Sequence, residues 1–221
     1  MKYRVVICGA GRIGAGYGGW ADEAYTHAGA IKANSDRADL IAFIEPNPER
    51  AEAASRTWKV PTYDKLSSGS TFPDIVCIAT QPEDQAEVFR LLPSSVKGIY
   101  CEKPYWAKKT TIPTQVNYTR RADPIHREIT EKHLWPSLTL SVQGKLDHHT
   151  LCHFEDLARW WKAKQLIYKP FDGPCSYYVD LGSYVKFFDN GGVDGGECMK
   201  LMFANLLDHL EGKADLFSPA R

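Results

Sequence analysis

The sequence has no long apolar run, no excess charge of either sign and no closely spaced pair of cysteines. None of its apolar segments approaches the roughly 20 residues that a membrane-spanning helix needs. Lysine and arginine together number 27, as do aspartate and glutamate, so no basic surplus is present to neutralise nucleic-acid phosphates. The start of the chain runs into a glycine-rich turn rather than a signal-peptide apolar segment. We therefore expect a cytoplasmic protein whose partner is a small molecule rather than a nucleic acid or a membrane.

The six cysteines form no C-x-x-C motif, and a chain of 221 residues does not need disulfides to fold. Cys8, Cys77 and Cys101 each lie inside an apolar, strand-like segment. Reduced cysteine behaves in such a segment as a small buried hydrophobe. The sequence therefore predicts buried thiols rather than a disulfide framework.

The first hundred residues alternate short apolar strands with helices. We expect strands at 3–8, 39–45, 60–66, 73–80 and 98–103, and helices at 20–33, 48–56 and 82–92. Strands that are apolar on both faces and joined by helices are typical of a parallel, doubly wound sheet. The pattern predicts an α/β fold, with a Rossmann dinucleotide-binding domain over residues 1–106.

The pattern changes after Pro104. We expect an extended segment at 111–121, helices at 124–135, 150–163 and 197–212, and strands only near 175–188. This mixture favours a separate α+β domain over residues 107–221.

Three glycines, Gly9, Gly11 and Gly14, form a G-x-G-x-x-G motif directly after the first predicted strand. The first allows a tight turn, the second lets a pyrophosphate approach the backbone, and the third lets helix and strand pack closely. The phosphates then meet free N–H groups at the start of the helix, where Arg12 and Ile13 lie. In this context the motif predicts a dinucleotide site rather than a purely structural turn.

The acid that binds the cofactor ribose is expected at the end of the second strand, where Glu45 lies. It follows Gly14 at an interval longer than the usual ~20 residues, because the turn and first helix are extended. A carboxylate there accepts the ribose hydroxyls and repels a 2′-phosphate, which favours NAD. Arg12 and Arg50 are nearby cations that keep NADP as an alternative. A solvated charge at a strand end is the purely structural interpretation of Glu45.

The segment CEKPYW, in which a strand ends in Glu102, Lys103 and Pro104, resembles the Gfo/Idh/MocA family of NAD(P)-dependent sugar and cyclitol oxidoreductases. The resemblance continues in EPNPERAEAAS, DIVCIAT, VNYTRRADP and HFEDLARWW, over roughly residues 3–161. It implies a Rossmann domain followed by an α+β domain with an open sheet, and a substrate bound between the two.

The family implies hydride transfer between nicotinamide and a carbinol or carbonyl carbon of a sugar, sugar nucleotide or related polyol. Lys103 corresponds to the lysine that holds the reacting oxygen, and His153 to the acid/base. An ammonium stabilises developing alkoxide charge, and an imidazole suits proton transfer near neutral pH. The structural alternatives are an ion pair with Glu102 or a solvated strand end for Lys103, and a packed core position for His153.

Further contacts are implied around these two residues. The predicted cofactor contacts after the fourth and fifth strands are Thr80, Gln81, Pro82, Glu102 and Lys103. The predicted substrate contacts are Tyr118, Arg121 and Asp156. Strand alternation would place Tyr118 and Arg121 on opposite faces, so that only one of them faces a pocket. Asp156 would either orient an imidazole or form a salt bridge.

The sequence departs from the family pattern in three ways. Members commonly carry a carboxylate four residues before the catalytic histidine, but here that position is His149, which we expect to share in proton transfer. A histidine common after the fourth strand is replaced by Gln85. The second domain is expected to be shorter than in most members, leaving apolar surface that a second subunit would cover. We therefore expect a homo-oligomer, most simply a dimer.

The histidine-rich segment also raises the question of a metal. His149 and His153, like His148 and Cys152, have the i, i+4 spacing of helical zinc ligands. The H-E-x-x-H motif is absent, however, and no distant ligand pair stands out, so we predict no metal.

A non-enzymatic alternative stays open. A Rossmann fold can persist in a catalytically reduced, dinucleotide-binding regulatory or scaffolding protein, because fold alone does not determine function. His149 and the small second domain favour this alternative. The intact glycines, Lys103 and His153 disfavour it.

Overall fold

The computed structural model describes residues 1–19, 23–66, 72–105, 110–132, 138–144, 148–170, 172–173, 175–180, 185–188 and 194–220. The chain divides into two compact units. The first consists of Met1–Asn117 and Gly195–Arg221, and the second of Tyr118–Asp194.

The first unit is built on a six-stranded sheet. Its strands are β1 (Tyr3–Cys8), β2 (Ala38–Ile44), β3 (Thr62–Tyr63), β4 (Ile75–Ile78), β5 (Gly98–Cys101) and β6 (Thr114–Val116). All neighbours are parallel, and the order across the sheet is β3-β2-β1-β4-β5-β6. This is the strand order of the Rossmann sheet, so the predicted α/β fold is confirmed.

Seven α-helices lie in the part of the chain that the structure describes. They are α1 (Arg12–Ala15), α2 (His27–Ala33), α3 (Pro48–Trp58), α4 (Pro82–Arg90), α5 (Pro124–Lys132), α6 (His148–Trp160) and α7 (Gly195–Leu210). Local sequence fixes several starts: the side chains of Thr26 and Asn47 cap α2 and α3, and proline occupies the first turn of α3 and α4. No helix among the described residues is both long and apolar enough to cross a bilayer.

The core of the first unit is formed by the central strands and the helices on both sheet faces. Side chains of β1 and β4 are fully buried along most of each strand, as parallel strands covered on both faces require. Cys8, Cys77 and Cys101 lie in this core, and none of the six cysteines forms a disulfide. The predicted buried thiols are therefore confirmed, and burial raises the pKa of Cys8 to about 12.

The first unit extends further along the chain than the boundary expected after residue 106. Strand β6 pairs with β5, and the C-terminal helix α7 packs against α2 and against both of these strands. Met202, Phe203 and Leu206 of α7 are completely buried in that contact. The division of the chain into units thus depends on the packing of α7 against strands about a hundred residues earlier. A local change in the sequence pattern does not reveal such packing.

The second unit contains a four-stranded mixed sheet with helices on one side. Its strands are β7 (Thr139–Gly144), β8 (Gln165–Pro170), β9 (Ser176–Asp180) and β10 (Val185–Phe188), in the order β10-β9-β7-β8. Strands β7 and β8 are parallel, with α6 between them in sequence, and the other pairs are antiparallel. The core includes Leu140, Phe154, Leu157, Trp161 and Tyr177.

Two of these strands were not expected from the sequence. Strand β7 alternates buried and half-buried residues, whereas β8 is exposed at five of its six positions. An edge strand that exposes both faces has no apolar alternation to recognise. The expectation of strands only near 175–188 was therefore wrong.

The predicted extended segment at 111–121 was also wrong at its end. The strand stops at Val116, and Thr119–Arg121 forms a 3₁₀ turn closed by bonds from the Arg121 and Ala122 N–H groups. In a turn the strand alternation no longer applies. Arg120 and Arg121 are consequently both buried, rather than lying on opposite faces.

Candidate active site

The turn after β1 is packed too closely for side chains at two of its three glycines. Gly9 has φ +96°, and a Cβ there would lie 2.7 Å from the Ala79 carbonyl oxygen. A Cβ on Gly14 would lie 1.9 Å from the Gly9 carbonyl oxygen. A Cβ on Gly11 would meet no atom of the described residues within 4 Å. Packing thus requires the first and third glycines, whereas the second leaves open space beside the backbone.

A cavity of about 780 Å³ lies beside this turn, at the carboxyl ends of β1, β2 and β4. Ligands of open α/β sheets bind at this edge, where the order of strands reverses, and the volume is typical of a ligand site. The predicted cofactor residues that line it are Gly9, Gly11, Arg12, Ile13, Glu45, Thr80 and Gln81. Those outside its lining are Gly14, Pro82, Glu102 and Lys103.

Glu45 follows β2 and is only 7% exposed. Its carboxylate accepts hydrogen bonds from the N–H of Ala10 (2.8 Å) and the N–H of Asn47 (3.0 Å). The side chain therefore ties the glycine turn to the start of α3. A carboxylate has about four acceptor positions, so two backbone bonds leave capacity for ribose hydroxyls.

Other polar groups complete the cavity wall. The Thr80 hydroxyl follows β4 and is buried, and it makes no hydrogen bond within the described part of the chain. A buried hydroxyl ordinarily has a partner, so this one has capacity for a ligand. The Arg50 guanidinium lies 5.8 Å from the centroid of the Tyr17 ring, and both residues line the cavity.

These features fit a bound dinucleotide. The open space at Gly11 suits close approach of a pyrophosphate to the backbone. The Glu45 carboxylate has acceptor capacity for ribose, and Thr80 supplies an unused hydroxyl. The groups that fit a dinucleotide therefore lie in the glycine turn and directly after the strands β2 and β4.

A buried carboxylate precedes the predicted catalytic lysine. Glu102 is 5% exposed, and its Oε1 lies 2.9 Å from His27 Nε2 and 2.5 Å from Asn117 Nδ2, which donates to it. Tyr100 donates its hydroxyl proton to Asn117 Oδ1 at 2.7 Å. Lys103 itself is half-buried, and the Lys103–Pro104 peptide bond is cis.

The charge of Glu102 is stabilised by this network. Burial alone would raise the pKa of Glu102, but the hydrogen bond and charge of His27, with help from Lys103 and Asn117, hold it below its ordinary value. A buried charge is tolerated when it is paired and hydrogen-bonded in this way. His27 was missed in the sequence, because one histidine in a small helix gives no indication that it meets a strand 75 residues away.

In the second unit, Arg121 and Asp156 bond to each other. Arg121 Nε and one terminal nitrogen each donate to an Asp156 carboxylate oxygen at 2.7 Å, and both residues are buried. The guanidinium carbon also lies 5.2 Å from the centroid of the Trp160 ring. This bidentate pair joins the 3₁₀ turn to helix α6, and the polar ends of both side chains are engaged in it.

His153 and Tyr118 lie near each other in the same unit. His153 is half-buried on α6, and its ring meets the Tyr118 ring edge-on, with centroids 6.0 Å apart. Burial raises the pKa of Tyr118, so that its hydroxyl keeps its proton and acts as a hydrogen-bond donor. Lys103 belongs to the first unit and His153 to the second.

The backbone of His149 belongs to α6, but its side chain lies outside the described residues, as do residues 145–147. Its predicted share in proton transfer stays a prediction. Among the side chains that the structure describes, no group of three or more histidines, cysteines or carboxylates is arranged to hold a metal ion.

Comparison with known families supports the cofactor. Residues 3–122 match the sequence model of the Gfo/Idh/MocA oxidoreductase family, described as having an NAD-binding Rossmann fold. NAD is therefore the cofactor that both the sequence and the family description indicate. A search of curated proteins finds no match.

Several solved structures share the fold. The WlbA dehydrogenase from Bordetella pertussis, in complex with NADH and UDP-GlcNAcA, is 16% identical, with a TM-score of 0.73 over 99% of this chain and 91% of that one. A putative myo-inositol dehydrogenase from Sinorhizobium meliloti 1021 is 16% identical, with a TM-score of 0.70 over 97% and 91%. A myo-inositol dehydrogenase from Corynebacterium glutamicum is 12% identical, with a TM-score of 0.71 over 97% and 90%. At these identities the likeness concerns the fold alone.

The different surroundings of the glycines predict different effects of alanine. Gly11→Ala should keep the thermal stability of the protein but weaken NADH binding about tenfold or more, because the methyl group would occupy the open space at the backbone. Gly14→Ala should lower the melting temperature sharply, because its Cβ would overlap the Gly9 carbonyl. Differential scanning fluorimetry and NADH fluorescence titration measure the two effects. Unchanged NADH affinity in Gly11→Ala would show that the pyrophosphate binds elsewhere.

Proposed function

Because the chain belongs to the Gfo/Idh/MocA family of oxidoreductases with an NAD-binding Rossmann fold, we propose that it is an NAD-dependent dehydrogenase. Its substrate would be the CH–OH group, or the corresponding carbonyl, of a sugar, sugar nucleotide or related polyol. The cavity beside the glycine turn carries this proposal, because its open backbone at Gly11, its carboxylate and its unused hydroxyl all fit a dinucleotide. The UDP-GlcNAcA bound to the compared WlbA dehydrogenase, and the names of the compared myo-inositol dehydrogenases, motivate the substrate class.

In the proposed reaction, NAD held in the cavity beside the glycine turn would supply the hydride chemistry at the substrate carbon. The Lys103 ammonium holds the reacting oxygen and stabilises the negative charge that develops on it. His153 removes the hydroxyl proton during oxidation and returns one during reduction. The proposal requires both residues to act on the same substrate hydroxyl group, with His149 as a further candidate for proton transfer.

The remaining predicted contacts take different proposed roles. Tyr118 keeps a proton at neutral pH and lies beside His153, which suits a donor to a substrate hydroxyl. Arg121 and Asp156 already satisfy each other, so we propose that they hold helix α6 and its histidine in place. Glu102, whose carboxylate is engaged by His27 and Asn117, would support the cofactor site through Lys103 rather than by direct contact.

A cytoplasmic location and the absence of a nucleic-acid partner stay predictions from composition.

Glu45 should set the preference for NADH over NADPH. The wild-type protein should bind NADH more tightly than NADPH. Glu45→Gln should weaken NADH binding by about tenfold and bring the affinities for NADH and NADPH closer together, because a neutral amide repels a 2′-phosphate less than a carboxylate does. Tryptophan fluorescence titration with both nucleotides measures this. Glu49→Gln, an exposed change in the adjacent helix α3, is the matched control and should alter neither affinity. Equal binding of both nucleotides by the wild type would refute the assigned role.

Turnover tests the proposed chemistry. We expect NAD-dependent formation of NADH with at least one member of a panel of polyols, including myo-inositol, and UDP-sugars. Lys103→Ala and His153→Ala should each lower kcat about 100-fold or more while NADH affinity stays near wild type. Lys97→Ala, at the other end of β5, is the control for loss of a lysine. Saturable NADH binding without turnover on any member would instead favour the regulatory or scaffolding alternative.

We also propose a homo-oligomer, with the sheet of the second unit as its contact surface. The strand register places Phe187, Tyr178, Ser141 and Ile167 in one row across the sheet. Phe187 is 50% exposed and Tyr178 37% exposed, and their ring centroids are 4.8 Å apart. Exposed aromatic side chains on adjacent strands form the kind of patch that a two-fold partner covers with its own copy.

Sedimentation velocity tests this contact surface. The wild type should sediment as a dimer or larger species at micromolar concentration, and the double change Tyr178→Lys, Phe187→Lys should yield monomers because it places charges in the row. Phe72→Lys, at an exposed phenylalanine of the first unit, should leave the assembly unchanged. A monomeric wild type would contradict the proposal.

A further inference from the structure

The backbone on both sides of Lys103 is held by a single side chain. Gln85 lies in α4, is completely buried, and its amide nitrogen donates to the Glu102 carbonyl oxygen (3.0 Å) and to the Pro104 carbonyl oxygen (3.1 Å). The two carbonyls flank Lys103 in the chain. The sheet topology explains these two contacts of Gln85, because α4 follows β4 and begins beside the carboxyl end of the neighbouring strand β5.

The chemistry of the amide suits this double contact. A side-chain NH₂ group carries two hydrogens and can donate to two acceptors from one atom, whereas each imidazole nitrogen carries at most one. The glutamine that replaces the family's usual histidine is therefore able to bind both carbonyls through one nitrogen. A side chain without donors at this position would remove both of these contacts and leave the backbone around Lys103 less firmly held.

The residue before Lys103 is fixed in a second way. The Glu102 carboxylate is bound by His27 and Asn117, and its own N–H donates to the Ile78 carbonyl oxygen at 2.8 Å. Because His27 Nε2 faces an ionised oxygen, it carries the proton of that contact. The main chain and side chain of Glu102 are thus both immobilised by buried partners.

We propose that Gln85 and His27 are positioning residues, which together hold the turn carrying Lys103 in one conformation. The inference rests on the role proposed above for Lys103, and it adds two residues that neither line the cofactor cavity nor react. A lysine side chain has many rotamers, so fixing its backbone removes part of the freedom that would otherwise misplace the ammonium.

The test compares two buried glutamines. Gln85→Met keeps the length of the side chain but removes both donors. Gln115→Met is the matched control, because Gln115 is also completely buried but its amide nitrogen donates to Asn205 Oδ1 of helix α7 at 3.0 Å rather than to the backbone around Lys103. Both changes should lower thermal stability, and the comparison separates that general loss from an effect on Lys103.

The readout does not depend on knowing the substrate. Lysines are dimethylated with ¹³C-formaldehyde, and the Lys103 methyl resonance is assigned by its disappearance in Lys103→Arg. Gln85→Met should shift and broaden this resonance, and amide exchange at residues 101–105 should become about tenfold faster. Gln115→Met should leave both unchanged.

Two substitutions of His27 provide a second test of the inference. His27→Gln retains an N–H donor toward Glu102 and should behave nearly as wild type, whereas His27→Leu should reproduce the effect of Gln85→Met on the Lys103 resonance. An unchanged Lys103 resonance in Gln85→Met, or equal changes in Gln115→Met, would overturn the inference. Turnover retained in Lys103→Ala would instead overturn the catalytic role of the lysine, so the two failures are distinguishable.

Discussion

The end of strand β1 is held from both sides, and the cofactor cavity depends on this arrangement. Gly9 donates its N–H to the Ile44 carbonyl of β2, while the Cys8 carbonyl accepts from the N–H of Ala79 after β4, both at 2.8 Å. A side chain at Gly9 would clash with the backbone of Ala79 and Thr80 after β4. The close approach of the ends of β1 and β4 therefore requires glycine at this position. Glu45 adds a further link by accepting a hydrogen bond from the N–H of Ala10, so its carboxylate and the glycine turn are positioned together.

Buried charges play a comparable role outside the cavity. In the first unit Glu102 is paired with His27, and in the second Asp156 is paired with Arg121. Replacing such pairs by apolar residues is often neutral or stabilising, whereas breaking one costs about 3–5 kcal/mol. Their contribution therefore lies more in fixing a specific geometry than in net stability. The carboxylate of each pair lies within three residues, in sequence, of a predicted catalytic side chain: Glu102 precedes Lys103, and Asp156 follows His153.

The sequence predicted the features that depend on local pattern and failed where distant segments meet. The glycine turn, the first five strands and the helices α3 and α4 follow from apolar runs and capping residues, and they are confirmed. Of the helix expected at 20–33, only His27–Ala33 is α-helical; Glu23–Tyr25 forms a 3₁₀ turn, and residues 20–22 lie outside the described residues. Helix α7 joins the first unit through contacts with strands about a hundred residues earlier in the chain, and no sequence periodicity indicates such contacts. The buried pair of Glu102 was missed for the same reason, since a charge at a strand end is taken to be solvated until its partner is known. A salt bridge was one of the two alternatives for Asp156, but the sequence did not identify Arg121 as its partner. Glu45 was found because strand ends in a parallel sheet share one edge.

The position of the buried network bears on the choice between an enzyme and a scaffold. The cavity that fits the dinucleotide is built from the ends of β1, β2 and β4, and Glu102 and Lys103 lie outside its lining. A protein that only bound the nucleotide would need the cavity but not an ionised carboxylate buried at the end of β5. Burial of that carboxylate carries a desolvation cost that His27 and Asn117 offset. Such an arrangement is explained if the ammonium at Lys103 must be held in place, and it therefore favours the oxidoreductase over the scaffold.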